Sequence, residues 1–426
     1  MWPDAVRVLE AAAEVEPALG QVEVRPLLHL HAARILQAAG EHDDADRHRA
    51  LARTTPAMHC LASRLDDADM LQAHVEQHPD DSRAWAILGH WLYFQSRHLD
   101  AIDAWRTSTE LDPGDPVVWR NRAVAAFNVL VDPDAARQLY ESALAVAPGD
   151  PRLVYERDQL AKRSGTTPGV RLAVLERERS AVDARDDLTV ELAQLHTATG
   201  KPEVALELLL SRRFQPWEGG EGQVLSAWDE AHLALARRAL DDGDGQLALD
   251  HVGAALEPVA SLGEARHPLA TTAQLHLLLG DALAATGDDA GASAAWSQAA
   301  SSTGDFQSMA LVAFSETTYY AVLASRRLGD DARADALVDG LAAHAVSLRS
   351  TPATPDYFAT SLPTLLLFRD DPQAVQTTTA MLLEAQVAAL RGDVDAAAAR
   401  LDEVLAREPG RLRALDLRRE LSRRRA

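Results

Sequence analysis

The stretch SRAWAILGHWLYFQSRHLDAIDAWRTSTELDPGD, residues 82–115, decides the fold of this chain. It carries a large aromatic side chain at its fourth position, Trp85, a small residue at its eighth, Gly89, and a second aromatic, Trp105, at its twenty-fourth. A small residue opposite a large one lets two helices cross closely, and Pro113 near the end of the stretch stops the second helix. The stretch therefore predicts a pair of packed helices.

The next stretch, PVVWRNRAVAAFNVLVDPDAARQLYESALAVAPGD, residues 116–150, repeats this pattern with one inserted residue. Trp119 occupies its fourth position, and Tyr140 and Pro148 each follow their counterparts by 35 residues. A looser version, with Gly at position 15 and Ala at position 20, recurs along the rest of the chain. Its Gly and Ala pairs are Gly40 and Ala45, Gly200 and Ala205, Gly243 and Ala248, Gly287 and Ala292, Gly329 and Ala334, and Gly392 and Ala397.

A repeat of about 34 residues, made of a helix, a turn and a second helix, is typical of the tetratricopeptide repeat (TPR). Glycine at position 15 permits the left-handed backbone that ends the first helix. Each helix pair can bury its apolar face only against the neighbouring pairs. The sequence therefore predicts an all-α fold, a TPR-type α-solenoid that forms a right-handed superhelix with irregular inserted loops.

Composition narrows the classes of function. The chain has 426 residues and a net charge of −22, and such an acidic surface repels nucleic acids and anionic membranes. Cys60 is the single cysteine, so neither an intrachain disulfide nor a cysteine-based zinc site is possible. The N-terminal residues lack the apolar core of a signal peptide, and no apolar run is long enough to cross a bilayer. We therefore expect a soluble, cytoplasmic protein without a cofactor.

Three segments interrupt the repeat: RRFQPWEGGEG (212–222), EPVASLGEARHPLA (257–270) and STPATPDYFATSLPTLLLFRDDPQ (350–373). Long loops in a compact array usually carry function or special packing. They suggest five parts of the chain. These are degenerate repeats at 1–80, the best-formed repeats at 81–211, repeats with the WEGGEG and LGEA loops at 212–349, a Pro-rich apolar insert at 350–373 that is expected to pack back onto the solenoid, and the last repeat with a C-terminal capping helix at 374–426.

The two ends of the chain differ in character. At the start, Ala5, Leu9, Ala12 and Pro17 keep the spacing of positions 20, 24, 27 and 32, so the chain opens on the second helix of a repeat. Because that helix has an apolar face, we expect the chain to be a fragment or a partner to cover the face. The C-terminal RLRALDLRRELSRRRA predicts a basic helix whose arginines suit a helix C-terminus, with a nucleic-acid tail as the less favoured alternative.

Several segments together resemble the C-terminal TPR half of a family of large bacterial proteins: DPVVWRNRAVAAFN, DPRLVYERDQL, RDDLTVELAQLHTATG, RRFQPWEGGEG, SLGEARHPLA and PDYFATSLPTLLLFRDD. In that family a β-rich N-terminal domain of unknown function, similar to mutarotase-like carbohydrate-active folds, precedes the repeats. The resemblance runs from about residue 81 to residue 371 and implies a helical scaffold that works with a sugar-active module. The β-rich domain is not in this sequence, so no carbohydrate-active residue is carried over.

The WEGGEG loop has three interpretations. It is not a phosphate loop, because it lacks the GK[ST] ending and because Glu218 and Glu221 would repel phosphate. The two carboxylates could form an acid/base pair, but a loop so rich in glycine does not hold them rigidly by itself. We favour a structural joint in which Trp217 and Phe214 plug the solenoid and a carboxylate caps the helix that starts near Gln223. A ligand-binding loop is the alternative.

The concave groove of a TPR array is its usual binding surface, and positions 2, 5, 9, 12 and 13 of each first helix are expected to face it. We refer to these as the groove positions. Arginine can grip a carboxylate with two hydrogen bonds, and exposed aromatic side chains suit an extended peptide. Candidate binding residues in the two best repeats are Arg83, His90, Tyr93, Phe94, Arg120 and Asn128, and Asp187 and Glu191 add acidic side chains further along.

Other reactive residues lack partners in the sequence. HVEQH places His74 and His78 one helical turn apart, but Val75 stands where metalloproteases have Glu, so we expect solvated histidines and no metal site. Cys60 is expected to be a packing residue. With no catalytic set evident, we expect a non-enzymatic scaffold that binds a protein or peptide in its groove. The alternative is the helical accessory part of a carbohydrate-active protein whose β-rich domain is absent from this chain.

Overall fold

The computed structural model describes residues 2–16, 23–57, 59–217, 219–302, 304–307, 310–354 and 367–425. Two compact units divide at Leu153 and Val154, inside the segment 81–211 that the sequence analysis treated as one part. Unit 1 contains α1 (Trp2–Ala13), α2 (Arg25–Ala39), α3 (His42–Thr54), α4 (Leu65–Gln77), α5 (Ser82–Phe94), α6 (His98–Leu111), α7 (Pro116–Asn128), α8 (Pro133–Val146) and the start of α9 (Pro151–Arg163).

Unit 2 begins within α9 and continues through helices and one hairpin. These elements are α10 (Pro168–Arg177), α11 (Arg179–Asp183), α12 (Asp186–Ala198), α13 (Pro202–Leu210), α14 (Gln223–Asp241), α15 (Gly245–Leu256), a 3-10 turn (Ala260–Leu262), α16 (Ala273–Ala285), α17 (Asp289–Ala300), β1 (Asp305–Gln307), β2 (Ala310–Val312), α18 (Thr318–Arg327), α19 (Asp331–Ser350), α20 (Pro372–Leu390), α21 (Val394–Arg407) and α22 (Leu412–Arg425).

The predicted all-α, TPR-type solenoid is confirmed. Successive helices form packed pairs joined by short turns, from α2 with α3 to α20 with α21. The alanines predicted at position 20 explain how closely the helices cross, because each is completely buried: Ala45, Ala101, Ala136, Ala205, Ala248, Ala292, Ala334 and Ala397 are all 0% exposed. A larger side chain at these points would push the two helices of a pair apart.

Position 8 shows the same principle more sharply. A Cβ added to Gly89 would lie 2.5 Å from the Trp105 ring, and one added to Gly280 would lie 2.3 Å from the Trp296 ring. Real Cβ atoms do not approach other atoms so closely, so each glycine makes room for the tryptophan of the second helix. The Gly89 and Trp105 pairing that the sequence predicted for residues 82–115 is therefore present.

The turn between the helices of a pair depends on a left-handed residue. The predicted glycines adopt φ values of 74° to 86° there: Gly40, Gly200, Gly243, Gly287, Gly329 and Gly392. Two pairs of unit 1 lack this glycine, and Ser96 and Val131 take its place with φ values of 61° and 54°. A β-branched residue such as Val131 is strained in this region of backbone space.

At the start of the chain, Ala5 and Ala12 are exposed, and Val6 is the residue of α1 that is buried, at 7%. Val6 packs with Leu36 and Ala45. In the predicted register the two alanines belong to the side that faces the first helix of a pair, and α1 has no such helix before it in this sequence. Pro17 lies outside the described residues.

The three irregular segments lie between helices as predicted: between α13 and α14, between α15 and α16, and between α19 and α20. Residues 355–366 of the apolar insert lie outside the described residues, but Phe368 at its end is fully buried, with the guanidinium of Arg163 5.6 Å from the centre of its ring. The two-stranded antiparallel hairpin of β1 and β2 was not predicted. Within the described part of the chain, no helix is both long and apolar enough to span a membrane.

Candidate functional site

The WEGGEG loop and the LGEA loop pack directly against each other in unit 2. The backbone N–H of Phe214 donates a hydrogen bond to the carbonyl of Ser261 at 2.9 Å, and the Phe214 side chain is 1% exposed. Gly263 has a φ of 77°, and a Cβ added to it would lie 2.4 Å from the carbonyl oxygen of Phe214. Position 263 therefore requires glycine twice, for its backbone conformation and for the close approach of the other loop.

The helix cap at this joint comes from an unexpected residue. The carboxylate of Glu264 accepts hydrogen bonds from the N–H groups of Gly222 and Leu225, both at 2.7 Å, at the start of α14. A carboxylate at this end satisfies free N–H groups and complements the helix dipole. The sequence favoured a carboxylate of the WEGGEG loop, Glu218 or Glu221, for this cap. Glu221 is exposed, and Glu218 lies outside the described residues.

The other side of the WEGGEG loop is held by α12. The carboxylate of Asp186 pairs with Arg212 at 2.6 Å and accepts a hydrogen bond from the N–H of Gln215 at 2.9 Å. Within the loop, Trp217 lies over Gly220, where an added Cβ would be 1.9 Å from the indole ring. The loop is thus a built joint between α13 and α14, with part of its surface facing a cavity.

The cavity has a volume of about 1100 Å³ and lies wholly in unit 2. It is partly open and is lined by the two loops, α14, the start of α16 and the first turns of α22. Its volume is slightly above the usual range for ligand pockets in proteins. Apolar side chains form part of its wall, among them Pro216, Trp217, Leu233, Leu262 and Leu275.

Most charged side chains of the cavity are paired. Asp229 forms two hydrogen bonds with Arg266, at 2.6 and 2.9 Å, and Arg237 pairs with Asp416 of α22 at 2.8 Å. Burial raises the pKa of Asp229, although the guanidinium of Arg266 opposes this. A bidentate arginine holds such a carboxylate in one orientation.

Glu230 differs from these residues. Its Oε1 accepts a hydrogen bond from the hydroxyl of Ser226 at 3.4 Å, and its buried Oε2 has no hydrogen-bond partner among the described residues. Burial raises the pKa of Glu230 to about 7; Arg413 opposes the shift, whereas Asp416 and Asp229 add to it. The Glu230 side chain is half-buried, but a carboxylate oxygen that is buried without a partner is costly unless something else binds to it.

The C-terminal helix α22 lies against the first helices of unit 2. Its residues pair with side chains and backbone of α12, α14, α16 and α18. The contacts are Arg413 with Gln274 at 3.3 Å, Asp416 with Arg237, Arg419 with the carbonyl of Ala198 at 2.7 Å, Glu420 with Tyr319 at 3.2 Å, and Arg423 with Asp241. All five partners occupy groove positions, counted from the left-handed glycine of each pair at position 15.

Helix α22 also covers the last helix pair. Its Ala414, Leu417 and Leu421 are buried in one cluster with Leu401 and Leu405 of α21. The helix therefore has two sides with different partners. The apolar side does what a capping helix is expected to do, and the charged side occupies groove positions of earlier pairs.

The predicted groove arginines of unit 1 are engaged within the unit. Arg83 donates hydrogen bonds to the carbonyls of Ala52, at 3.1 Å, and Thr55, so it connects its own helix pair to the end of α3. Arg120 donates to the side chain of Asn121 at 3.1 Å. Asn128 is half-buried at the end of α7.

Two of the other predicted groove residues of the first repeat, His90 and Tyr93, lie beside the ring of Trp105. The ring of Tyr93 lies 5.3 Å from that of Trp105 and 4.7 Å from that of His98. Both ring nitrogens of His90 are buried without a hydrogen-bond partner among the described residues, and burial lowers its pKa to about 4. Phe94 is 82% exposed.

The two predicted groove acids of unit 2 are part of ion pairs. Asp187 pairs with Arg185 at 2.6 Å. Glu191 is 6% exposed and contacts Lys162 at 2.6 Å and Arg171 at 2.8 Å. Burial opposes the ionisation of Glu191, but the two cations outweigh it and hold its pKa below the usual range.

The histidines of HVEQH are not both solvated, and this expectation is corrected. His74 is buried, with its Nε2 3.0 Å from Oδ2 of Asp81. The described residues contain no group of three histidine, cysteine or acidic side chains placed to hold a metal ion. Cys60 is buried, and burial raises the pKa of its thiol to about 12, as suits a packing residue.

Sequence reasoning missed the charged residues of the cavity, although a signal was present. Counted back from Gly243 at position 15, Glu230 and Arg237 stand at positions 2 and 9 of their pair, so both are groove positions. The rule was applied only to the two best repeats. No sequence pattern pointed to Glu264, because its role as a helix cap depends on the contact between its loop and the start of α14.

Comparisons with solved structures return helical repeat proteins of low identity. YrrB, described as a TPR protein with an unusual peptide-binding site, is 15% identical over 46% of this chain and 96% of its own, with a TM-score of 0.34. A TPR protein from Parabacteroides merdae is 14% identical over 64% of this chain and 92% of its own, with a TM-score of 0.31. The pilus biogenesis factor PilW is 17% identical over 51% and 91%, with a TM-score of 0.28. No protein-family model matches the chain.

Proposed function

We propose that this chain is a non-catalytic scaffold that binds a segment of another protein at the groove positions of unit 2, in the cavity beside α22. The observation that supports this most is α22 itself. It is a helix bound on groove positions of four successive first helices, through side chains of both charges. The face is thus complementary to a polypeptide segment within this molecule.

The cavity offers further room on the same face. Gln274 lines it and also accepts a hydrogen bond from Arg413 of α22, so the cavity and the α22 contacts are continuous. Its volume of about 1100 Å³ exceeds that of a single side chain, and its wall combines apolar and charged groups. Sites of this kind suit a short peptide segment anchored by a few side chains.

Several features support a scaffold over an enzyme. Asp229 and Asp416 are each paired with an arginine, and Glu264 is used as a helix cap. These three carboxylates are already bound to structural partners, so they are not free to act as a general acid or base. The alternative, the helical accessory part of a carbohydrate-active protein, rests on the sequence resemblance alone. We also propose a cytoplasmic location, in line with the single cysteine of the sequence.

Site-directed photo-cross-linking tests this function. A photoreactive amino acid at Gln274, inside the cavity, is compared with one at Glu207, which is exposed on the second helix of its pair. We expect cross-links to a partner protein from position 274 and none from position 207. The captured partner is then purified, and calorimetry must show that it binds the wild-type chain. Equal cross-linking at both positions, or none at position 274, would contradict the proposal.

A further inference from the structure

We infer that the cavity of unit 2 recognises a cationic group, an alkylammonium or a guanidinium, and that the carboxylate of Glu230 is its anchor. This inference rests on the proposed function and specifies the chemistry of the bound segment. It follows from three properties of the cavity, which are its excess of carboxylates, the pairing of its arginines and the free oxygen of Glu230.

Carboxylates outnumber arginines among the described residues that line the cavity. The acidic side chains are Glu221, Asp229, Glu230, Glu264, Asp305 and Asp416, and the arginines are Arg237, Arg266 and Arg413. The low dielectric of a cavity strengthens this imbalance. A cation is therefore attracted into it and an anion is repelled.

The arginines are not available to bind an anion. Arg266 is held by Asp229, and Arg237 by Asp416. Arg413 donates to Gln274 at 3.3 Å and pairs with Glu316 at 3.5 Å. An anionic ligand would have to displace one of these partners, whereas a cationic ligand finds a carboxylate oxygen that lacks one.

Glu230 is the group with spare capacity. Its Oε2 is buried and without a hydrogen-bond partner in the described structure, and its Oε1 receives one long hydrogen bond from Ser226. An ammonium or guanidinium group carries several N–H donors and a positive charge, so it would satisfy the free oxygen once the carboxylate turns that oxygen toward the cavity. The apolar wall at Trp217 and Leu275 suits the hydrocarbon stem of a long basic side chain.

The charged groups around Glu230 make the interaction depend on pH. Asp229, its neighbour on α14, and Arg413 and Asp416 from α22 act on it electrostatically. Lys162, Arg171 and Glu191, from α9, α10 and α12, line a smaller cavity that Glu230 also borders. Because the pKa of Glu230 is raised to about 7, the free protein carries a largely protonated carboxyl at pH 6. We therefore expect the cation to bind more tightly at pH 8 than at pH 6.

Isothermal titration calorimetry with the full chain tests the inference with three probes. The first is a capped peptide of alternating leucine and lysine, the second is the same peptide with glutamine in place of lysine, and the third is spermidine. Each is titrated at pH 6 and pH 8 into the wild type, Glu230→Gln and the control Glu207→Gln. The Gln variant keeps the shape of Glu230 and removes its charge.

We expect the lysine peptide to bind the wild type and Glu207→Gln equally, and Glu230→Gln at least about tenfold more weakly at pH 8. The glutamine peptide should bind the wild type more weakly by a similar factor. Spermidine binding that is equally sensitive to Glu230 would support a free polyamine as the source of the cation, and binding of the peptide alone would support a basic protein segment.

Unchanged binding of the lysine peptide by Glu230→Gln, or equal binding of the two peptides, would overturn the inference. So would the absence of binding by both cationic probes. Misfolding is separated from loss of the anchor by thermal unfolding, because removal of a buried, unpartnered charge should raise the Tm of Glu230→Gln at pH 8. A partner that cross-links from position 274 but binds Glu230→Gln normally would leave the proposed function in place and reject only the cationic anchor.

Discussion

Units 1 and 2 are built from the same helix pair but use their groove positions differently. In unit 1, Arg83 donates to backbone carbonyls, His90 is desolvated without a partner in the described structure, and Phe94 is exposed. In unit 2, groove positions are paired with α22 or line a charged cavity. The comparison teaches that the repeat pattern specifies the packing of the helices. The segments packed against the groove positions, such as α22, specify which charged and polar groups are present there.

The buried ion pairs of Arg171 in unit 2 should contribute more to the free energy of unfolding than the hydrogen bonds of Arg83 in unit 1. Arg171 is 4% exposed and pairs with both Asp158, at 2.5 Å, and Glu191, at 2.8 Å. Arg171→Ala would leave the buried Asp158 without its ion-pair partner and Glu191 with Lys162 alone, so we expect a loss of about 3–5 kcal/mol in the free energy of unfolding. Urea denaturation followed by circular dichroism measures this loss.

Arg83→Ala is the matched variant in unit 1. It removes hydrogen bonds from the guanidinium to the neutral carbonyls of Ala52 and Thr55 and leaves no buried charge unpaired, so we expect a smaller loss, of about 1–2 kcal/mol. Similar losses in the free energy of unfolding for Arg171→Ala and Arg83→Ala would show that the two arginines contribute equally to stability. The proposed difference between the two units would then be wrong.

Glu230→Gln should stabilise unit 2 in a pH-dependent way. The pKa of Glu230 is raised from 4.5 to about 7 in the folded protein, so the folded state keeps a proton that the unfolded state loses. The wild type therefore loses stability as the pH rises from 4.5 to about 7, and a neutral glutamine does not. We expect the variant to gain about 2 kcal/mol more over the wild type at pH 8 than at pH 5, as measured by urea denaturation at both values.

His90 in unit 1 is the contrasting case. Its pKa is lowered from 6.5 to about 4, so its contribution to stability is present above pH 6.5 and is lost as the pH falls toward 4. The opposite signs follow from one cause, since burial disfavours the charged form of either group.

A gain in stability for Glu230→Gln that is equal at pH 5 and pH 8 would mean that the Glu230 carboxyl is not desolvated as the structure indicates.

Substitutions at the left-handed residue between the two helices of a pair should have the smallest effects on stability. The expected effects have opposite signs in the two units. Val131 in unit 1 has a φ of 54° and is 80% exposed, so Val131→Gly should relieve strain and stabilise by about 0.5–1 kcal/mol. In unit 2, Gly200 has a φ of 86° with open space around it, so Gly200→Ala should cost about 1 kcal/mol through the backbone alone. Shifts of Tm in one direction for both variants would contradict this account.

Much of the fold could be predicted, because the repeat is a local pattern. The position-20 alanines, the left-handed glycines and the pairing of Gly89 with Trp105 depend on residues within one helix pair. The packing of α1 through Val6 was not predicted, because the alanine spacing describes contacts within one helix pair and not contacts with the next pair. The candidate site was less predictable, because Glu264 and Arg266 reach it from the LGEA loop and Arg413 reaches it from α22, far along the chain from the WEGGEG loop.

The sequence by itself determined a chain of helix pairs, the places where the array is interrupted, and the groove positions. These depend on interactions over at most about 35 residues, which a repeat displays directly. Only the tertiary structure decided that Glu264 caps α14, that α22 lies on groove positions, and that Glu230 keeps a free oxygen. Those outcomes depend on contacts between segments far apart in the chain, such as Asp416 with Arg237, and a repeat pattern carries no information about which distant segments meet.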